Sequence, residues 1–385
     1  MRLALYVHPF DLDALADHGG LARLADLGFS ELALAVSYHD GRWLTPWHPG
    51  TRVRFLEDGT VHFRPSVDYG ELTPLPSSEV PADGPSPLER LCADAPAHGL
   101  SVRAWTVFGH NTRLGLLHPE RTVVNAFGDP YPYALCPSQP TVQRYHAALV
   151  ADLARHRGLG AIELEALGQM GIQHSSHHDK KSLSPTGRWG FALSACFCAA
   201  CRDVHEELGH DVDAVRRAAA ACVTRAVTDG DAMAPAAPDD GEPTWIDAVL
   251  AARRAVVARL AQRVVEASGA CARAVQVHPD PWFTGSQLAA SAAAAFPAAD
   301  ERVLTCYGQG TDAIAKVLAH DGARVFAASP KRLCIWPKAP EFTRDEDLVR
   351  VRELCRTHGV DSVAIYHLGL LPWRTTERVA KMLAR

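Results

Sequence analysis

RHRGLGAIELEA, residues 155–166, sets a helix end, a glycine and a short apolar run side by side. Gly158 can take the left-handed conformation that closes a helix and that residues with a Cβ resist. The run after it has the length of a strand and is largely apolar on both faces, as a strand of a parallel sheet must be. The same unit recurs in ADLGFSELALAV around Gly28, PAHGLSVRAWTV around Gly99 and RTHGVDSVAIYH around Gly359. Its recurrence along the chain predicts a βα-repeat architecture.

Working outward from these units, strands are predicted over 2–8, 30–36, 101–107, 160–166, 272–278, 302–306, 332–336 and 362–367. Helices are predicted near 11–26, 86–97, 140–156, 198–227, 245–268, 286–295, 311–320, 345–357 and 375–384. This order is that of an α/β fold, a (β/α)8 TIM barrel with insertions after strands 2 and 4. An open doubly wound sheet would need a glycine-rich phosphate turn after strand 1, and His8-Pro9-Phe10-Asp11 is not one. In the first insertion, residues 37–84, Asp58-Gly59 lies between alternating apolar residues and predicts a hairpin. The second, residues 202–270, reads as a helical pair, with Thr244 and Asp247 resembling an N-terminal cap. Neither insertion carries enough apolar sequence for its own core, so residues 1–385 are expected to form a single domain.

Composition narrows the function classes. Of the 385 residues, 47% are hydrophobic and 22% charged, ordinary values for a globular chain. A net charge of -5 argues against nucleic acid or an anionic membrane as partner. No apolar stretch approaches the ~20 residues of a membrane helix. Met1 runs directly into a strand-like segment with no leader pattern, so a cytoplasmic location is expected. Ten cysteines then read as reduced thiols or metal ligands. Self-association as a homo-oligomer stays open.

Barrel enzymes carry their chemistry at the carboxyl ends of the strands. Those ends collect polar residues here: His8 after strand 1, His39 and Asp40 after strand 2, His110 and Asn111 after strand 3. Glu165 ends strand 4, followed by His174, His177, His178 and Asp179. Asp280 and Trp282 follow strand 5, and Tyr307, Trp336, Tyr366 and His367 close strands 6 to 8. Trp43, Trp47, Trp189 and Trp373 also fall near strand ends, and flat aromatic faces suit sugar rings. Glycoside hydrolysis usually needs two carboxyl groups. Residues two apart in a strand share a face, so Glu163 and Glu165 project together. Glu165 is the expected proton donor, its pKa raised by partial burial. Glu163, one layer deeper, is either an orienting neighbour or a structural glutamate satisfied by an arginine such as Arg103. Asp280, Glu341 and Asp40 are candidates for the second carboxylate, with Asp280 preferred for its rigid place between two prolines.

Cys196-x-Cys198-x-x-Cys201 matches the thiolate spacing of structural zinc sites, with Cys136 or a nearby histidine as fourth ligand. The alternative is a set of small buried hydrophobes. His174-Ser-Ser-His177-His178-Asp179 could hold a second, catalytic metal or line a sugar site. Two other functions therefore stand beside a glycosidase: a metal-dependent hydrolase, isomerase or epimerase, and a non-catalytic sugar-binding barrel.

Cys136-Pro137-Ser138 before a helix, the strand ending Glu163-Leu164-Glu165, the CFCAAC element at 196–201 and the final AIYHLGLL together resemble a glycoside hydrolase-like TIM-barrel family. The resemblance runs from strand 3 to strand 8 and implies a barrel of the glycoside hydrolase kind; with the strand-end residues, the expected function is hydrolysis of a glycosidic bond in a small or modified sugar. The Asp-Tyr-x-Arg-Tyr element of that family is replaced here by Glu165-Ala166-Leu167-Gly168.

Overall fold

Eight parallel strands form the centre of the computed structural model: β1 (Arg2–Val7), β2 (Phe29–Tyr38), β3 (Ser101–Val107), β4 (Leu159–Glu165), β5 (Ala272–His278), β6 (Glu301–Cys306), β7 (Lys331–Ile335) and β8 (Ser362–Ile365). The structure describes all residues except 173, 175–178, 181, 229–243 and 385. Each strand pairs with its sequence neighbour, and β1 pairs with both β2 and β8. Leu3 lies opposite Val363 on one side and Leu5 opposite Leu32 on the other, so the sheet is closed and has no free edge. This is the predicted α/β barrel, and the eight strands agree with their predicted positions to within about two residues.

The two faces of each strand do different work. Outward residues such as Leu3, Leu5, Ile162, Leu164, Val275 and Ile365 pack with the surrounding helices in one continuous core. Inward positions form a separate cluster in which Ala4, Ala33, Ala35, Ala274 and Ala364 alternate with Tyr6, Trp105 and Tyr366. Small side chains on some strands make room inside the barrel for rings and guanidinium groups from others.

Below that cluster the lumen is charged. Arg103 bonds Glu31 at 2.8 Å, Glu163 at 3.3 Å and Glu301 at 2.6 Å. Arg332 pairs with Glu31 and, at 3.2 Å, with Glu301. Burial alone would push Glu31 up, but Arg103 and Arg332 outweigh it and hold the carboxyl at about 2.

Several local expectations are corrected. VRFLEDGTVHF does not fold onto itself: Val53–Leu56 pairs antiparallel with Gly41–Leu44, and Thr60–Val61 pairs with Ser37 and Tyr38 at the end of β2. The Asp58-Gly59 turn is held instead by the end of β2 and by the segment after β3. The Asp58 carboxylate accepts the amides of Asp40 and Arg113, while the Gly59 carbonyl accepts from Asn111 and Arg113. Gly59 sits at φ +61°, and a Cβ there would lie 2.1 Å from the Asn111 Oδ1. The predicted helix 198–227 is two helices, Ala199–Glu207 and Val212–Thr228, separated by Gly209 at φ +75°. Helix 286–295 shrinks to Ala290–Ala293 because Leu288 and Ala289 pair with the end of β5. A hairpin of Thr122–Val124 with Pro130–Leu135 was not foreseen. Among the described residues, no helix is long and apolar enough to cross a membrane.

Candidate active site

Glu165 is the last residue of β4, and the chain turns sharply behind it. Ala166 adopts φ +54°, a conformation costly for a residue with a Cβ. It is held from both sides, its amide donating to the Ser286 carbonyl at 2.8 Å and its carbonyl accepting from Gly109 at 2.8 Å. A Cβ on Gly109 would come within 2.9 Å of that carbonyl, so glycine is required for the approach. The turn fixes where the Glu165 carboxyl stands.

That carboxyl accepts the indole N–H of Trp105 at 2.6 Å and the amide of Gln276 at 3.2 Å. Burial raises its pKa to about 7; the Trp105 bond opposes the rise and Glu163 adds to it. Glu165 keeps 8% of its surface while Glu163 keeps none. Of the two acids, Glu165 alone retains any exposed surface. Glu163 receives the Tyr6 hydroxyl, the Gln276 amide at 2.8 Å and Arg103 at 3.3 Å, the arrangement of a structural glutamate satisfied by an arginine.

Beside Glu165 stand three tyrosines. The hydroxyls of Tyr38 and Tyr366 are 3.1 Å apart, and Tyr307 packs on Tyr366 with ring centres 4.3 Å apart. Burial raises the pKa of all three, and Glu165 raises each further. They are neutral phenols that can donate hydrogen bonds. Tyr38 and Tyr366 form part of the wall of a cavity of about 750 Å³ at the carboxyl ends of β2, β7 and β8. Trp43, Trp336, Phe342, His39, Asp40, Arg42 and Lys338 line it as well. The volume and the aromatic rings in the wall suit a small organic ligand.

The structure sorts the predicted site residues into three groups. His39, Trp336 and Tyr366 line the cavity, and Tyr307 packs on Tyr366 beside it. His110 stacks on His39 at 4.2 Å and bonds His174 at 3.0 Å, which brings the segments after β2, β3 and β4 to one end of the barrel. Others are spent on the fold. Asn111 caps helix Thr112–Leu117 through the Leu114 amide at 2.8 Å. His8 and His367 are buried around Asp11 and Trp43, Asp11 lying 3.6 Å from the His367 Nδ1 and 2.7 Å from His48. Trp282 packs against Phe191 on the helix Gly187–Leu193. Asp280 closes a local turn by accepting the Trp282 amide at 2.8 Å, and no hydrogen bond or ion pair links it to Glu165. Of the three acids considered for the second carboxylate, Asp40 is the one that lines the cavity. His177 and His178 lie outside the described residues.

Trp105, Gln276, Tyr6, Arg42 and Lys338 were missed. For the first three the signal was present, since they occupy inward positions of strands flanking or facing β4.

A second centre lies in the segments that follow β3 and β4. The Sγ atoms of Cys136, Cys196, Cys198 and Cys201 all lie within 4.8 Å of one another, and all four residues are buried. Cys136 stands 3.5 Å from Cys201, 3.6 Å from Cys198 and 3.7 Å from Cys196. These spacings are far too long for disulfides at ~2.05 Å. They approach the ~3.8 Å edge of a tetrahedron with metal–sulfur bonds of ~2.3 Å. Gln169 donates to Cys201 at 3.0 Å and accepts from the buried Arg253 at 3.2 Å, which places a cation beside the thiol group. The donor set fits a structural metal ion. Among the described residues no other group of His, Cys, Asp and Glu does.

No protein-family model matches the sequence, and no curated protein matches it. In structure the chain is similar to the PgaB (BpsB) glycoside hydrolase domain from Bordetella bronchiseptica, with a TM-score of 0.58 at 13% identity, covering 100% of this chain and 99% of that one. It is also similar to the catalytic domain of a beta-amylase from Paenibacillus polymyxa, with a TM-score of 0.53 at 10% identity over 100% and 98% of the two chains. A beta-galactosidase from the psychrophilic Marinomonas ef1 gives a TM-score of 0.55 at 10% identity, with 100% of this chain covering 59% of that one. Identities this low establish the shared barrel.

Proposed function

We propose that the chain hydrolyses a glycosidic bond in a small or modified sugar, with Glu165 as proton donor. The observation that carries this is a carboxyl with a pKa of about 7, at the carboxyl end of β4 and next to an aromatic-walled cavity. Such a group is protonated in a large fraction of molecules near neutral pH and gives up its proton readily. Glu165 protonates the leaving oxygen as the bond to the anomeric carbon breaks. Asp40 then acts on the opposite side, as base toward water or as nucleophile, in place of the expected Asp280. Tyr38 is near enough to both acids for each to raise its pKa. The similarity in shape to the PgaB (BpsB) glycoside hydrolase domain and to the Marinomonas ef1 beta-galactosidase supports the same reading.

The four-cysteine group is proposed to hold one zinc ion as a structural clamp. Zinc would tie the segment after β3 to the helix Ala199–Glu207 and, through Gln169, to the turn behind Glu165. The ten free thiols suit a reducing, cytoplasmic setting. A metal-dependent reaction at the histidine-rich tips finds less support. His8, His48 and His367 are packed around Asp11, and no histidine belongs to a ligand group among the described residues.

Glu165→Gln tests the function. Turnover of nitrophenyl glycosides should fall on the order of 10²–10⁴-fold, least for the best leaving groups, with ligand binding kept. Near-normal turnover in a stable Glu165→Gln protein would reject the assignment, and a sugar-binding protein without catalysis would lose no function at all.

A further inference from the structure

Resting on the reading of the 750 Å³ cavity as the substrate site, we infer that its sugar carries a carboxylate or comparable anionic group, met by Lys338 and Arg42. The chain as a whole has a net charge of -5, yet the cavity wall holds Arg42, Lys338 and Arg378 against one acid, Asp40. The local sign is the reverse of the global one.

The three cations are not equivalent. Arg378 is committed, donating to the carbonyls of Thr343 and Phe342 at 3.2 and 2.9 Å with Asp345 at 3.6 Å. Lys338 has no carboxylate partner among the described residues, and its ammonium rests 3.8 Å from the centre of the Trp336 ring. Arg42, one residue from Trp43 on the strand Gly41–Leu44, has no acidic partner among the described residues either. Elsewhere Arg103 and Arg332 inside the barrel and Arg23, Arg90, Arg144 and Arg259 on the surface are paired with acids. Arg42 and Lys338, without such partners among the described residues, line the same cavity.

A ring face attracts an ammonium less strongly than a carboxylate that forms a charge-assisted hydrogen bond. Lys338 can exchange the Trp336 ring for an anionic ligand and release that aromatic surface to the sugar. Arg42 adds a forked donor suited to bidentate contact with a carboxylate. Neutral sugars would gain only the aromatic wall and the tyrosine hydroxyls.

The test uses sodium glucuronate and glucose as probes, titrated into the full-length protein by calorimetry or ligand-observed NMR. Glucuronate should bind at least ~10-fold more tightly than glucose at low salt, and the gap should narrow as added salt screens the charges. Lys338→Met keeps the stem over Trp336 but removes the charge. It should lower glucuronate affinity about tenfold with glucose binding unchanged, and Lys338→Arg should restore most of the loss. Equal affinity for the two sugars would overturn the inference, as would a preference that survives the Lys338→Met, Arg42→Gln double variant. With Glu165-dependent hydrolysis of neutral glycosides intact, those results would leave the glycosidase reading standing. Loss of that hydrolysis dependence with a salt-sensitive glucuronate preference retained would reject catalysis and keep the anion site.

Discussion

The pKa of Glu165 has a consequence for stability that can be measured without knowing the substrate. A carboxyl whose folded-state pKa lies above its unfolded value holds an extra proton in the folded protein between the two. Stability therefore falls as pH rises from about 4.5 through about 7. At ~1.36 kcal/mol per tenfold change in proton affinity, that gap corresponds to about 3 kcal/mol. Glu165→Gln keeps the shape of the side chain and much of its hydrogen bonding but cannot ionise. The variant carries a constant offset from any disturbed bond to Trp105 or Gln276, and it lacks the pH-dependent loss. Urea denaturation of both proteins from about pH 4.5 to about pH 8.5 should thus show the variant gaining on the wild type by about 3 kcal/mol. The slope is the readout, so a constant difference in fold quality does not obscure it. Parallel pH profiles would show that Glu165 ionises in the folded protein at its ordinary pKa, and the case for a poised proton donor would fall with them.

Two further expectations concern the rest of the barrel. Arg103→Met removes the arginine paired with Glu163 and one of those paired with Glu31 and Glu301, which should cost about 3–5 kcal/mol near neutral pH and less as acid neutralises the carboxyls; an unchanged urea midpoint would show the lumen charges to be solvated. Elemental analysis should find about one zinc per chain, and Cys198→Ser should lower both metal content and melting temperature; metal-free protein of unchanged stability would remove the clamp.

Four of the strands were legible because each follows a glycine that ends a helix, and all of them because a buried parallel strand is a short, largely apolar run. Their inward faces were harder to read. Ala4, Ala33 and Ala364 look like ordinary apolar residues, and nothing local says that they leave space for Trp105 or Arg332. Glu163 and Glu165 stood out because acids in such a run must face the lumen. The loop residues misled for a different reason. Asn111, His8 and His367 belong to the types that bind sugars, but the same hydrogen-bonding groups cap helices and short turns, and here all three do that or sit buried around Asp11. Asp58-Gly59 has the composition of a hairpin turn, yet its flanking strands found other partners, a long-range choice that local sequence does not encode. Cys136 was nameable as a fourth ligand only because a triplet of thiols leaves a tetrahedron one short.

The separation of the two strand faces also bears on how this chain can change. Outer residues such as Leu164 and Val275 share no cluster with inner ones such as Ala274 and Trp105, although Val275 directly follows Ala274 in the chain. Substitutions on opposite faces should combine additively, whereas pairs within the lumen should show strong epistasis. Enlarging Ala35 or Ala364 is tolerable only if Trp105 or Tyr366 shrinks in compensation. A library that randomises the lumen in volume-matched sets can therefore search for new chemistry while every helix contact of the barrel stays as it is.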